Sequence, residues 1–165
     1  MNKKAALLMG SKSDYKALEP CIKTFAEFGV ELEVRIMSAH RTPAAVTAFV
    51  GAAEANGFGV ILAAAGMSAH LAGVVAAHTV LPVIAIPMKG DASIMDGLDA
   101  LLSMVHMPPG IPVACVGVNA GKNAALLALQ ILQGYMPELG DKLRKNREEM
   151  AATVAMADEE VNNAK

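Results

Sequence analysis

The sequence predicts an α/β fold, a parallel sheet covered by helices on both faces. Three observations lead there. Five short apolar runs alternate with helical patterns along the chain. The runs are short enough for strands and continuous enough to be covered on both sides. Capping residues, Gly and Pro stand at the junctions between them.

The first run is Ala5 to Met9, ending at Gly10. Ser13 or Asp14 is placed to cap a helix that runs to about Phe28, where Gly29 stops it. The second run is Leu32 to Met37. It leads into Thr42-Pro43, a capping residue before a proline suited to the first helical position, and that helix ends near Gly57. The third run, Val60 to Ala64, precedes a helix over Ser68 to His78. The fourth, Val83 to Ile86, is bracketed by Pro82 and Pro87 and precedes a helix over Asp96 to Val105. The fifth, Val113 to Val118, follows Pro112 and leads into Gly121 to Gln133, closed by Gly134. A charged amphipathic helix occupies about 138–163, with Lys142, Arg144, Lys145, Arg147, Glu148 and Glu149. Strand–helix alternation with right-handed crossovers leaves few topologies. For five strands the natural choice is a flavodoxin-like three-layer sandwich. The last helix has little sheet left to cover and is expected to pack on a neighbouring subunit. Residues 1–165 are expected to form one domain.

Composition narrows the function. Apolar residues make up 54% and aromatics 4%, so the core must be built from Ala, Val, Ile, Leu and Met. Many small apolar residues often mark buried contacts between subunits. The net charge of −2, without a basic block, argues against nucleic acid as the main partner. Cys21 and Cys115 are the only cysteines, and they lack metal-ligand spacing. They read as buried, inert thiols of a reducing compartment. No apolar run approaches the ~20 residues of a membrane span. A soluble, cytoplasmic protein is expected.

In an open parallel sheet, ligands bind beyond the carboxyl ends of the strands. Three of those ends are chemically dense. After strand one comes Gly10-Ser11-Lys12-Ser13-Asp14. Its hydroxyls and helix amino end suit an anion, and Asp14 suits ribose hydroxyls. A simple capped helix start explains the same residues. The loop is neither a Walker loop nor GxGxxG. After strand two comes Ser38-Ala39-His40-Arg41-Thr42-Pro43. An arginine forks onto phosphate, and histidine as a residue type exchanges protons near neutral pH. After strand three comes Ala64-Ala65-Gly66-Met67-Ser68-Ala69-His70. Its small residues let backbone approach a flat ligand. His70, just inside a helix, fits a structural and a catalytic role equally well. His78 reads as surface or interface, and His106 as a partner for a helix end. The four histidines have no ligand spacing, so no metal site and no cofactor are expected.

Together these loops resemble those of the 5-(carboxyamino)imidazole ribonucleotide mutases of purine biosynthesis. The likeness lies in Gly-Ser-x-Ser-Asp, Ser-Ala-His-Arg-Thr-Pro and Ala-Gly-x-x-Ala-His-Leu-x-Gly. It continues through Gly97 to Ser103, Met107-Pro108, Gly110 to Val113, Asn123 to Ala128 and Gln130 to Leu132, about residues 5 to 135 in all. The resemblance implies a flavodoxin-like subunit in a homo-octamer, with sites at subunit junctions and a small ribonucleotide substrate. By position it implies that Ser11, Ser13 and Arg41 bind phosphate and Asp14 binds ribose. His40 would transfer the proton. Ser38, Ala65 and Gly66 would line the pocket for imidazole and carboxylate, with His70 also in the substrate site. Family members often have Gly-Ala where Met67-Ser68 stands, Gln at His106, and a bare small-residue loop at Met88 to Asp91.

A sister family carboxylates the unmodified ribonucleotide with carbon dioxide. It tends to have Ser-Asn where Ala69-His70 stands, so His70 favours the mutase over this alternative. A non-catalytic flavodoxin-like module is the rival from another class. A flavin module would need aromatic residues at the sheet edge. A phosphorelay receiver would need clustered acids after strand one. Neither pattern is present.

Overall fold

The computed structural model describes residues 3–164. Residues 1, 2 and 165 of the expected single domain lie outside the described residues. Five strands form one all-parallel sheet: β1 (Lys4–Met9), β2 (Leu32–Ile36), β3 (Phe58–Gly66), β4 (Val83–Met88) and β5 (Ala114–Cys115). Their order is β2-β1-β3-β4-β5. This is the flavodoxin-like order expected from the alternation. The helices are α1 (Tyr15–Phe28), α2 (Pro43–Gly51), α3 (Leu71–Ala76), α4 (Leu98–Val105), α5 (Gly121–Leu132) and α6 (Leu139–Asn163).

The period of two along each strand sorts the core into two halves. Ala5, Leu7 and Met9 of β1 face α1 and α5, joined by Val60, Leu62, Ile84 and Ile86. Ala6 and Leu8 face the other way, with Ile61, Ala63 and Ala85, against α2, α3 and α4. On both sides the inner strands are buried except for Lys4 and Gly66 at their ends. Each large apolar side chain removed from water in this way, such as Leu7 or Phe25, contributes ~1.5–3 kcal/mol.

The edges depart from the sequence reading. The second run is not covered on both faces: β2 is an edge strand, with Arg35 and Ile36 exposed. Its sequence, Leu-Glu-Val-Arg-Ile, alternates as a half-solvated strand does. The expected strand Val113–Val118 pairs as a ladder only over Ala114 and Cys115, the other edge. Beyond it, Val116 N–H still donates to Ala85 O and Asn119 N–H to Pro87 O. Cys115 is therefore only partly buried, whereas burial pushes the Cys21 thiol up to about 12.

Several helix starts also shift. Neither Ser13 nor Asp14 caps α1 through its side chain. Ser11 caps a 3-10 turn over Lys12–Asp14 instead, and α1 follows directly until Gly29 stops it at φ 71°. Thr42 precedes Pro43 as expected but makes no side-chain cap to α2, because its hydroxyl is turned back to Ser38. The helix ends at Gly51, short of the expected Gly57, and turns carry the chain to β3. The expected helix Ser68–His78 shrinks to Leu71–Ala76, because Met67 takes a left-handed φ of 57° and delays the start. Asp96, at φ 59°, likewise holds a separate 3-10 turn over Met95–Gly97 before α4.

The long α6 buries Leu139, Gly140 and Leu143 at its start. From Arg144 onward it is almost wholly exposed. No helix among the described residues is long and apolar enough to cross a membrane.

Candidate active site

The carboxyl ends of β1, β2 and β3 are adjacent because those strands are neighbours in the sheet. Their loops are also tied by hydrogen bonds. Gly10 N–H donates to Ala64 O at 3.0 Å, and Met37 N–H donates to Met9 O at 2.9 Å. Small residues let the ends meet: a Cβ on Gly10 would stand 3.7 Å from that of Ala65.

In the first loop, Ser13 donates to the Ser11 hydroxyl twice, from its N–H at 3.3 Å and from its own hydroxyl at 2.8 Å. Two hydroxyls thus lie together at the end of β1. Asp14 follows, half-buried. Burial holds its carboxyl above the usual carboxylate range, partly offset by donors from Ser13 and Ser11.

The second loop is locked by Thr42. Its hydroxyl donates to Ser38 O at 3.1 Å and accepts from Ser38 N–H at 2.9 Å. Ser38 Oγ in turn accepts from Arg41 N–H at 3.2 Å. The Arg41 guanidinium reaches across to donate from Nη2 to Gly10 O at 2.9 Å. That contact sets its charge at the Gly10 carbonyl, one residue before Ser11 in the first loop. Among the described residues no carboxylate forms an ion pair with Arg41. The fork keeps donors available for an incoming anion, an arrangement suited to phosphate.

The third loop supplies Ala65, buried, then Gly66, Met67 and His70. Gly66 is required by close approach, since a Cβ there would lie 2.9 Å from Met88 O. The left-handed Met67 turns the chain so that His70 comes back over the sheet end. His70 sits at the amino-terminal cap position of α3, one residue before the helix proper. Its Nδ1 lies 2.9 Å from Nε2 of His40, and the two rings meet edge to face at 89°.

All nine residues singled out in the sequence therefore fall on one face of the molecule. Sequence reasoning missed Thr42 as the staple of the second loop and the direct contact between the two histidines. The sequence did carry a hint of the first, since a threonine four residues after a serine spans one tight turn. The other two histidines stand apart: His78 bonds Val74 O at 2.8 Å, and His106 ends α4. Beyond β4, Lys89 pairs with Asp96 and holds that carboxyl below the usual range. Its N–H donates to Asn119 Oδ1 after β5, so these residues close the far side of the same sheet end.

The loop cluster is an open face of the single chain. Concave grooves lie elsewhere, between α5 and α6 and at the amino end of β1. Recognition of a phosphorylated ligand needs aimed donors first, and those converge at the sheet end. Among the described residues no group of three His, Cys, Asp or Glu side chains is placed to hold a metal ion.

A family model described as AIR carboxylase matches residues 4–153. The chain is 52% identical over 155 residues to a protein of Methanocaldococcus jannaschii named N5-carboxyaminoimidazole ribonucleotide mutase, covering 94% of this chain and 95% of that one. It is 48% identical over 129 residues to the phosphoribosylaminoimidazole carboxylase of Saccharomyces cerevisiae, covering 78% of this chain but 22% of the yeast protein. Among solved structures it is similar to Treponema denticola PurE, with a TM-score of 0.85 and 33% identity, over 96% of this chain and 98% of that one.

Proposed function

From the premise that this chain belongs to the AIR carboxylase family, we infer that it is a mutase of purine biosynthesis. It converts 5-(carboxyamino)imidazole ribonucleotide to 4-carboxy-5-aminoimidazole ribonucleotide. The mutase name stands on relatives matched over 83% and 95% of their length. The carboxylase name comes from a yeast protein of which this chain spans a fifth, so direct carboxylation is not favoured.

The roles of individual residues are our proposal. The observation that carries it is the convergence of Arg41, the Ser11–Ser13 hydroxyls and the His40–His70 pair at one sheet end. Arg41, Ser11 and Ser13 bind the phosphate and Asp14 binds the ribose hydroxyls. Ser38, Ala65 and Gly66 form the floor for the ring and carboxylate, with His70 beside them.

The reaction needs one bond broken, one formed and one proton moved. The bond from the exocyclic nitrogen to the carboxylate carbon breaks. Its electron pair stays on nitrogen, and carbon dioxide is released into the site. Nitrogen takes up a proton from His40. Ring carbon 4, made nucleophilic by that amine, attacks the carbon dioxide and briefly carries both a proton and the new carboxylate. His40 removes that proton and the ring regains aromaticity. A positioned acid–base group of this kind contributes ~100- to 10,000-fold. Enclosure matters as well, because escaped carbon dioxide ends the cycle.

We further propose that the enzyme works as a homo-octamer in the cytoplasm. The open sheet end supports a site completed by another subunit. The outer half of α6 supports it too: Met150, Val154 and Val161 are exposed at spacings of four and seven. That pattern is one helix seam without a partner in the single chain. Light scattering that finds a stable monomer at micromolar concentration overturns the assembly.

The activity is tested by offering each candidate ribonucleotide in carbon-dioxide-depleted and enriched buffer and following the 4-carboxylated product. We expect fast turnover of the nitrogen-carboxylated substrate without bicarbonate or ATP, unchanged by chelator. Faster turnover of the unmodified ribonucleotide at modest carbon dioxide overturns the mutase assignment.

A further inference from the structure

We propose that His70 is the positioning residue of His40: its Nδ1 accepts from Nε2–H of His40 throughout the cycle and confines proton exchange to Nδ1 of His40. This rests on the acid–base role given to His40 above. The contact is 2.9 Å long and joins residues 30 apart in sequence. An N–H···N hydrogen bond requires one donor and one acceptor, so only two arrangements of the pair exist. In one, His70 donates and Nε2 of His40 is the acceptor. The only N–H left to a neutral His40 is then on Nδ1, and giving it up would leave an anionic ring. In the other, His70 carries its proton on Nε2 and accepts at Nδ1. His40 then cycles between imidazolium and neutral imidazole with Nε2–H in place in both states.

Only the second arrangement lets one ring nitrogen do both jobs. The Nδ1–H of the His40 imidazolium goes to the departing nitrogen of the substrate. The ring is left neutral, with a lone pair on Nδ1, and that lone pair takes the proton from ring carbon 4. Protons balance over the cycle, and His70 gains and loses none. Among the described residues Nδ1 of His40 has no protein partner, so the nitrogen the chemistry needs is the one left open to a ligand. The edge-to-face rings, with centroids 5.0 Å apart, also restrict rotation of His40 about its χ2. The backbone on each side is held: Thr42 pins the His40 loop, and His70 N–H donates to Ser68 O at 2.9 Å.

The position of the contact atom makes the test sharp. In asparagine the amide oxygen occupies the place of histidine Nδ1, whereas glutamine extends toward the place of Nε2. We compare the parent, His70→Ala, His70→Asn and His70→Gln by steady-state kinetics with the nitrogen-carboxylated ribonucleotide. The same four proteins, labelled with 15N-histidine, are read by NMR without substrate for the Nε2–H signal of His40. We expect kcat of the Ala and Gln variants to fall about 10- to 100-fold, as for a slightly misplaced reacting group, with KM within about twofold. The Asn variant should recover to within about fivefold of the parent, with the slow-exchanging Nε2–H signal kept in the parent and Asn proteins only. A raised KM at unchanged kcat in His70→Ala makes His70 a substrate contact and overturns the proposal. So does an Asn variant as slow as Ala, or a His40 signal from Nδ1–H alone in the neutral parent. Should the parent fail to turn over this substrate, the functional reading falls, while the NMR comparison still decides the tautomer.

Discussion

Gly66→Ala converts the close approach at the end of β3 into a measurable cost. Gly66 is paired with Met88 in the β3–β4 ladder, at the centre of the sheet. A Cβ there would lie 2.9 Å from the Met88 carbonyl oxygen, with the Met88 carbonyl carbon and Cβ at 3.8 Å. Ordinary contact begins near 3.4 Å, so β3 and β4 must separate by about half an ångström. The obstructing atom is backbone in a ladder covered by helices, and it has no rotamer to change. Overpacking of this kind costs ~1–3 kcal/mol. We expect about 2 kcal/mol, read as a lower urea midpoint at fixed protein concentration and unchanged m value. The His70 loop begins at the next residue, so turnover should also fall, by about 10- to 100-fold. Gly51→Ala is the control. Nothing lies within 4 Å of its Cβ position, and it closes α2. Its midpoint should be unchanged or higher, by ~0.4–1 kcal/mol from the stiffer unfolded chain. A Gly66→Ala protein within about 0.5 kcal/mol of the parent, at the same m value, would refute the argument from close approach.

Three further outcomes follow from the site. His40→Asn should fold and assemble but lose nearly all turnover, and a rate within about tenfold of the parent removes His40 from proton transfer. Arg41→Ala should weaken product binding by about 1.5–3 kcal/mol in isothermal titration, since a charge-assisted contact to phosphate is lost. Unchanged affinity places the phosphate elsewhere. Asp14→Asn should weaken product binding yet raise the urea midpoint at pH 7. Burial raises the folded carboxyl above its unfolded value, so folding favours the protonated form. That contribution is full below the unfolded value and lost as pH rises through the folded one. At neutral pH the ionised, half-buried group is a net cost, kept small by its remaining exposure. The gap between variant and parent should therefore shrink on acidification, and a widening gap contradicts this reading.

The sequence by itself determined the class of fold, its order and the face that matters. Continuous apolar runs such as Val60 to Ala64 have no stable place except between two helical layers. Gly29 and Pro43 mark boundaries by their own backbone preferences, which are local properties. The strand-end loops were legible for the same reason, because an α/β sheet concentrates chemistry at its carboxyl edge. What only the tertiary structure decided is non-local. Leu32–Ile36 and Ala114–Cys115 are edges because of where the crossovers put them, and Val113 to Val118 looks no different in sequence from an inner strand. Met67 and Asp96 take left-handed backbone, and the helices that follow them start later than the sequence pattern indicates. Arg41 reaches Gly10, and His40 meets His70, across 30 or more residues. Such contacts depend on register between strands, where a shift of one residue turns every side chain to the other face. The sequence thus named the histidines, and the packing of β1 between β2 and β3 brought the loops that carry them together.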